Sequence, residues 1–175
     1  MIEPSTITDF VALCVQSNRM GVVHVKDGKI HDKVYLRDSE QELKTLEFYF
    51  ESVEYVLAFN IGIHRKNLKN MFERVGWSLP DKKYVCVYNW AKTNIGTSTF
   101  MSVRDYFGIG VSGMEGEYDL SGWHGRDYVL NAEMLAEAAM MMQESCGMDL
   151  ENAVSGDRES SRQEFWNNRR WYKGY

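Results

Sequence analysis

The apolar residues of this chain fall into short runs of β-forming side chains separated by stretches with helical spacing. Residues 10–15 (FVALCV) predict a buried strand, and residues 20–25 and 30–36 predict two more. Lys26-Asp27-Gly28-Lys29 joins the latter pair, and its Asp-Gly centre predicts a two-residue hairpin turn. Ser39 and Glu42 match a capping box, after which Leu43, Leu46, Phe50 and Val53 share one helical face. Residues 55–59 predict a fourth strand, with Asn60 and Gly62 as turn residues. Leu68, Met71, Phe72 and Val75 then recur at helical spacing; Gly76 suits the position just past the helix end, and Pro80 lies beyond it. Residues 84–88 (YVCVY) predict a fifth strand, and residues 102–107 a short helix closed by Gly108. Residues 127–143 predict a long helix that turns Val129, Ala132, Leu135, Ala136, Ala139 and Met140 inward and stops near Gly147.

Three strands with a hairpin, followed by alternating helix and strand, predict an α/β fold with a mixed sheet covered by helices. At 175 residues, one domain is expected, placed here at 1–150. From Ser155 the composition turns polar (SGDRESSR), and the chain ends in QEFWNNRRWYKGY. From Arg158 onward five basic residues stand against two acidic ones, so 151–175 is read as a linker and a basic aromatic tail. That tail either completes the core or binds a partner, since Trp, Tyr and Arg are common interface anchors. The ten methionines include Met140-Met141-Met142, read as gap-filling core.

Charge and cysteine usage narrow the function classes. A net charge of −5 speaks against general duplex binding, which needs cationic phosphate contacts. Mean hydropathy is −0.43 and no apolar run reaches the roughly 18–20 residues of a membrane span, so no membrane role is expected. No secretory signal is visible at the start. Cys14, Cys86 and Cys146 are odd in number and widely spaced, which fits neither a disulfide framework nor a zinc knuckle and points to a reducing cytoplasm.

Several short frames occur in a telling order. Cys14-Val15-Gln16-Ser17 ends the first predicted strand, and Phe59-Asn60-Ile61-Gly62-Ile63-His64 opens the central helix. Gly76, Pro80, Cys86-Val87 and Ala91-Lys92 follow, then Tyr106-Phe107-Gly108-Ile109 and Arg126-Asp127-Tyr128-Val129-Leu130-Asn131-Ala132. Together, over residues 8–143, they resemble the DEDDh 3′–5′ exonucleases of the proofreading type. The corresponding family motifs are D-x-E-[TS], H-N-x-x-F-D and H-x-A-x-x-D-A. The resemblance implies a ribonuclease-H-like mixed five-stranded sheet, three strands antiparallel and two parallel, flanked by helices. It also implies phosphodiester hydrolysis by two Mg²⁺ or Mn²⁺ ions held by four carboxylates.

Every departure falls on a catalytic position of that family. Cys14, Gln16, His64 and Asn131 stand at the four acid positions, and Arg126 stands where the general-base histidine would be. A shifted frame using His124 with Asp127 or Asn131 has the wrong spacing. Arginine stays protonated and cannot act as a base, and amide oxygens cannot offset metal charge. No catalytic residue, metal or cofactor is therefore expected. Cys14 with His64 would need further ligands to hold zinc, and a relocated acid such as Asp127 or Glu133 would lack partners on the first strand. The four positions are expected to converge at one end of the sheet.

The implied role is binding by a catalytically degenerate domain, either to a protein partner or to single-stranded nucleic acid without hydrolysis. An exonuclease with atypical metal ligation is the remaining alternative. Candidate binding residues are Arg65, Lys66 and Lys69 on the central helix and Trp166, Arg169, Arg170 and Trp171 in the tail. The helix cations also have a simpler reading as a solvated face.

Overall fold

The computed structural model describes residues 6–16, 18–96, 100–109 and 125–154. Its strands are β1 (Phe10–Gln16), β2 (Arg19–Lys26), β3 (Lys29–Arg37), β4 (Tyr55–Ala58) and β5 (Lys83–Cys86). The helices are α1 (Glu40–Glu51), α2 (Ile61–Arg74), α3 (Val87–Asn94), α4 (Phe100–Phe107) and α5 (Gly125–Cys146). The five strands form one sheet in the order β3-β2-β1-β4-β5, with β1, β2 and β3 antiparallel and β4 and β5 running parallel to β1. This is the ribonuclease-H-like mixed sheet expected from the sequence.

Local sequence chemistry accounts for the element ends. The β2–β3 turn puts Asp27 at φ 52° and Gly28 at φ 74°, the left-handed pair that a two-residue hairpin requires. Ser39 caps α1, its hydroxyl accepting the Glu42 N–H at 3.3 Å. The reciprocal half of the capping box differs: the Glu42 carboxylate accepts from the Arg37 N–H and the Ser39 hydroxyl. α2 ends in a Schellman motif, in which Gly76, at φ 78°, donates to the Glu73 carbonyl and Trp77 donates to that of Phe72. The Phe72 and Trp77 rings pack against each other across that cap.

Three expectations are corrected. The fifth strand stops at Cys86, and Val87 and Tyr88 open α3, a helix the pattern did not announce. The reason is the ladder: Ala58 pairs with Cys86 and β4 goes no further, so the Tyr88 N–H instead donates to the Phe59 carbonyl at 2.6 Å. Gly62 lies inside the first turn of α2 rather than in a loop. On α5 the buried face is wider than the expected stripe, for Tyr128, Leu130, Met134, Ala138 and Met142 are buried too, while Val129 and Met140 are only half-buried.

α5 and α1 cover opposite faces of the sheet. Gly21 of β2 faces α5, and His24, three residues on, meets Tyr49 and Ser52 at the end of α1. Gln143 near the end of α5 takes hold of the entering chain: its side-chain oxygen accepts the Ile7 N–H at 2.8 Å and its amide donates to the Ile7 carbonyl at 3.1 Å. Beyond α5, a 3-10 turn at Glu151–Ala153 packs beside β5, and Val154 forms an antiparallel bridge with Val85.

Candidate functional site

The end of β1 is the meeting point of α2 and α5. Cys14 and Gln16 are two residues apart on the strand and so share the face toward α5. Asn131 of α5 is buried and sets its side-chain nitrogen 3.9 Å from the Cys14 sulfur. The Gln16 side-chain oxygen accepts the Tyr128 hydroxyl at 3.0 Å. His64, in the first turns of α2, is 1% exposed, and its Nδ1 accepts the backbone N–H of Val15 at 2.9 Å. The structure therefore brings Cys14 and Asn131 into contact and seats His64 on the peptide between Cys14 and Gln16.

The electrostatics of this junction are those of neutral groups. Burial pushes the Cys14 thiol up to about 12, with the Asn131 amide pulling weakly the other way, so the sulfur keeps its proton at neutral pH. Burial drives the His64 imidazole down from 6.5 to about 4. The Val15 contact is consistent with that, because Nδ1 can accept an N–H only when it carries no proton itself. The remaining two positions are amides.

α5 also closes over this end of the sheet. Gly21 is the register partner of Cys14, and a Cβ added there would lie 2.1 Å from the Tyr128 carbonyl oxygen. Helix backbone thus sits directly on strand backbone, a contact that only glycine permits.

The donor set does not fit a magnesium or manganese pair. It offers a protonated thiol, an imidazole whose Nδ1 is engaged, and two amides, whereas those ions want several anionic oxygens. Among the described residues no group of three or more His, Cys, Asp or Glu is arranged to hold a metal ion. Among the described residues no third ligand joins Cys14 and His64, and zinc would need further ligands.

Of the expected binding residues, α2 carries Arg65, Lys66 and Lys69. The Arg65 guanidinium lies 4.7 Å over the Tyr84 ring, and Lys69 reaches Glu73 at 4.0 Å one turn on. Lys66 is exposed. Arg126 belongs to the first turn of α5, but its side chain, like that of Asp127, lies outside the described residues, as do Ser17, His124 and the tail positions Trp166, Arg169, Arg170 and Trp171. Two participants went unforeseen, Tyr128 and Gly21. An isolated glycine inside a strand pattern is the signal that marks the second. Nothing in the local pattern marks the first, whose partner is 112 residues away.

No protein-family model matches the chain, and no curated protein matches it. Among solved structures, Exonuclease X in complex with 5′ overhanging duplex DNA aligns with a TM-score of 0.47 and 15% identity, covering 83% of this chain and 96% of that one. The fold class stands on the strand order and directions of the sheet itself. Among the described residues no helix is long and apolar enough to cross a membrane.

Proposed function

We propose that this chain is a degenerate exonuclease-like domain without hydrolytic activity, serving as a protein-interaction or assembly module. The observation that carries the reading is the junction at the end of β1, where Cys14, Gln16, His64 and Asn131 are neutral and hydrogen-bonded to one another's surroundings. A two-metal phosphodiesterase needs concentrated negative charge at that spot, and none of these four side chains supplies it. The net charge of −5 favours a protein partner over a nucleic-acid strand, whose phosphates need cationic contacts. The free thiols of Cys14, Cys86 and Cys146 fit a reducing cytoplasm as the working compartment.

The test is a degradation assay on end-labelled single-stranded DNA and RNA with Mg²⁺ and with Mn²⁺. No shortening is expected with either ion. Chelator-sensitive shortening that co-purifies with the chain and disappears in Asn131→Ala would overturn the reading. Salt-sensitive retention of a single strand that is lost in a triple Arg65, Lys66 and Lys69 to alanine variant would instead assign nucleic-acid binding.

A further inference from the structure

β3 is the longest strand of the sheet, nine residues from Lys29 to Arg37, and it stands at the edge. Among the described residues β2 is its sole strand partner. Hydrogen bonds show which of its backbone groups face outward. The Lys33 N–H donates to the Asp32 carboxylate at 2.8 Å and the Arg37 N–H to the Glu42 carboxylate at 3.1 Å, both bonds open to solvent. The Asp38 N–H, one residue on, points inward to the Asn18 carbonyl at 2.9 Å. Antiparallel strands turn the N–H and C=O of alternate residues to the same side, so Tyr35, midway between Lys33 and Arg37, presents both groups outward as well. The strand carries Lys29, Lys33 and Arg37 against one acid, Asp32, in a chain whose net charge is −5. Lys33 pairs with Glu133 of α5 at 3.2 Å, whereas Lys29 and Arg37 form no ion pair among the described residues. Each of these two also faces a like charge across the ladder, Lys29 opposite Lys26 and Arg37 opposite Arg19. Like charges set directly opposite cost stability.

We infer that the outer edge of β3 takes an acidic, extended segment of a protein partner as an added strand. The inference rests on the interaction-module reading and deepens it by naming the surface and the partner's chemistry. An arriving strand repeats its C=O and N–H groups every second residue, roughly 6.6–6.8 Å, which is the repeat the edge itself presents. Its carbonyls can take the Lys33 and Arg37 N–H groups over from the solvent-open Asp32 and Glu42 side chains. Acidic side chains on it supply Lys29 and Arg37 with the counter-charge that β2 denies them. The chain's net negative charge is screened beyond about 8 Å at physiological ionic strength, so the local cations govern the contact. A second copy of this chain fits worse, because antiparallel pairing centred on Lys33 sets cation against cation. The charges that exclude a copy thus select an opposite partner. A phosphate backbone fits worse too, since it offers acceptors alone and leaves the outward carbonyls of β3 without donors.

The experiment selects random linear peptides displayed on phage against the full chain, then follows amide hydrogen exchange by NMR with the enriched peptides bound. Enriched peptides are expected to alternate acidic with apolar residues, and the Tyr35 amide to become protected only when one is present. Their Kd should weaken at least tenfold in Lys29→Glu/Arg37→Glu, whose melting temperature is compared with the parent's first. The exchange readout uses the parent protein and so stands even if the variant folds poorly. The inference is overturned by no enrichment, by enrichment of peptides without acids, or by equal affinity for parent and variant. It is equally overturned if a second copy or a single-stranded oligonucleotide protects Tyr35 and peptides do not. Acidic peptides that bind and leave Tyr35 exchanging sink the edge while the interaction-module reading stands; degradation in the nuclease assay sinks that reading by itself.

Discussion

The two ends of the sheet treat polar groups in opposite ways. Where β1 finishes, Cys14, His64 and Asn131 are buried, and each is held in its neutral form. Where β4 and β5 begin, Lys83 bridges Glu54 at 2.8 Å and Glu151 at 2.7 Å and lies over the buried Tyr55 ring, the three charged side chains being partly open to water. The Tyr55 hydroxyl donates to the same Glu151 carboxylate. The contrast follows from solvation. A charge at the closed end would lose its water and gain no counter-ion among the described residues, whereas at the open end water screens the charges and keeps them ionised. A residue's type thus says less about its charge state than whether helix or solvent lies over it.

The strongest way to break this comparison is to pry the closed end open. Gly21→Ala should cost about 3 kcal/mol or more, because the new methyl meets the α5 backbone rather than a movable side chain. Urea unfolding of the variant measures it, and a loss under about 1 kcal/mol would show that α5 does not press on β2 as described.

Charging the closed end should come next. The combined change Cys14→Asp, Gln16→Glu, His64→Asp and Asn131→Asp is expected to destabilise the metal-free protein by roughly 3 kcal/mol at pH 8, since crowded, desolvated carboxylates have raised pKa values. Raised acid pKa values mean that the folded state holds more protons, so the cost should be small below about pH 4 and grow as pH rises. Added Mn²⁺ should recover part of it by binding the folded state alone. Melting temperatures with and without the ion across pH 4–8 decide the matter, and indifference to both would dissolve the idea of a shared pocket.

His64 provides a gentler probe. Its folded value is depressed to about 4 from 6.5, so the unfolded chain takes up the proton first as pH falls through that window. Stability from this residue is intact above 6.5 and should decline by about 2 kcal/mol between pH 7 and pH 5. In His64→Gln, which keeps an acceptor for the Val15 N–H, denaturation midpoints should vary less over the same range. Equal pH slopes in the two proteins would place the ring in water.

The smallest effect belongs to the open end. Glu151→Gln should lower the melting temperature only slightly, and the difference should vanish at high salt because the pair is screened. A large, salt-independent drop would mean that this end too is effectively buried.

Much of the frame was legible because single-strand periodicity and turn chemistry act locally. The Asp27-Gly28 turn, the Ser39 cap and the Gly76 terminus each depend on a few neighbouring residues. The boundary after Cys86 was not legible, since YVCVY favours a strand throughout and only the length of β4 ends the ladder. The register irregularity beside His24, which leaves His31 without a partner strand residue, is likewise invisible in the alternation of β3. At the closed end the positions Cys14, Gln16, His64 and Asn131 were readable from the motif frame. Their partners were not: the Val15 N–H is a backbone group, and Tyr128 meets Gln16 across 112 residues of chain.

The bridge between Val85 and Val154 bears on how the chain is made. β5 is the outermost strand on its side, and Glu151, which clasps Lys83, follows it by 68 residues. A ribosome delivering residues from the N-terminus completes β5 long before the segment that lies along its rim. During that interval the rim presents unsatisfied backbone groups to any passing strand. The segment at 151–154 therefore reaches that rim late, and truncating the chain just before it would leave the border beside Val85 open.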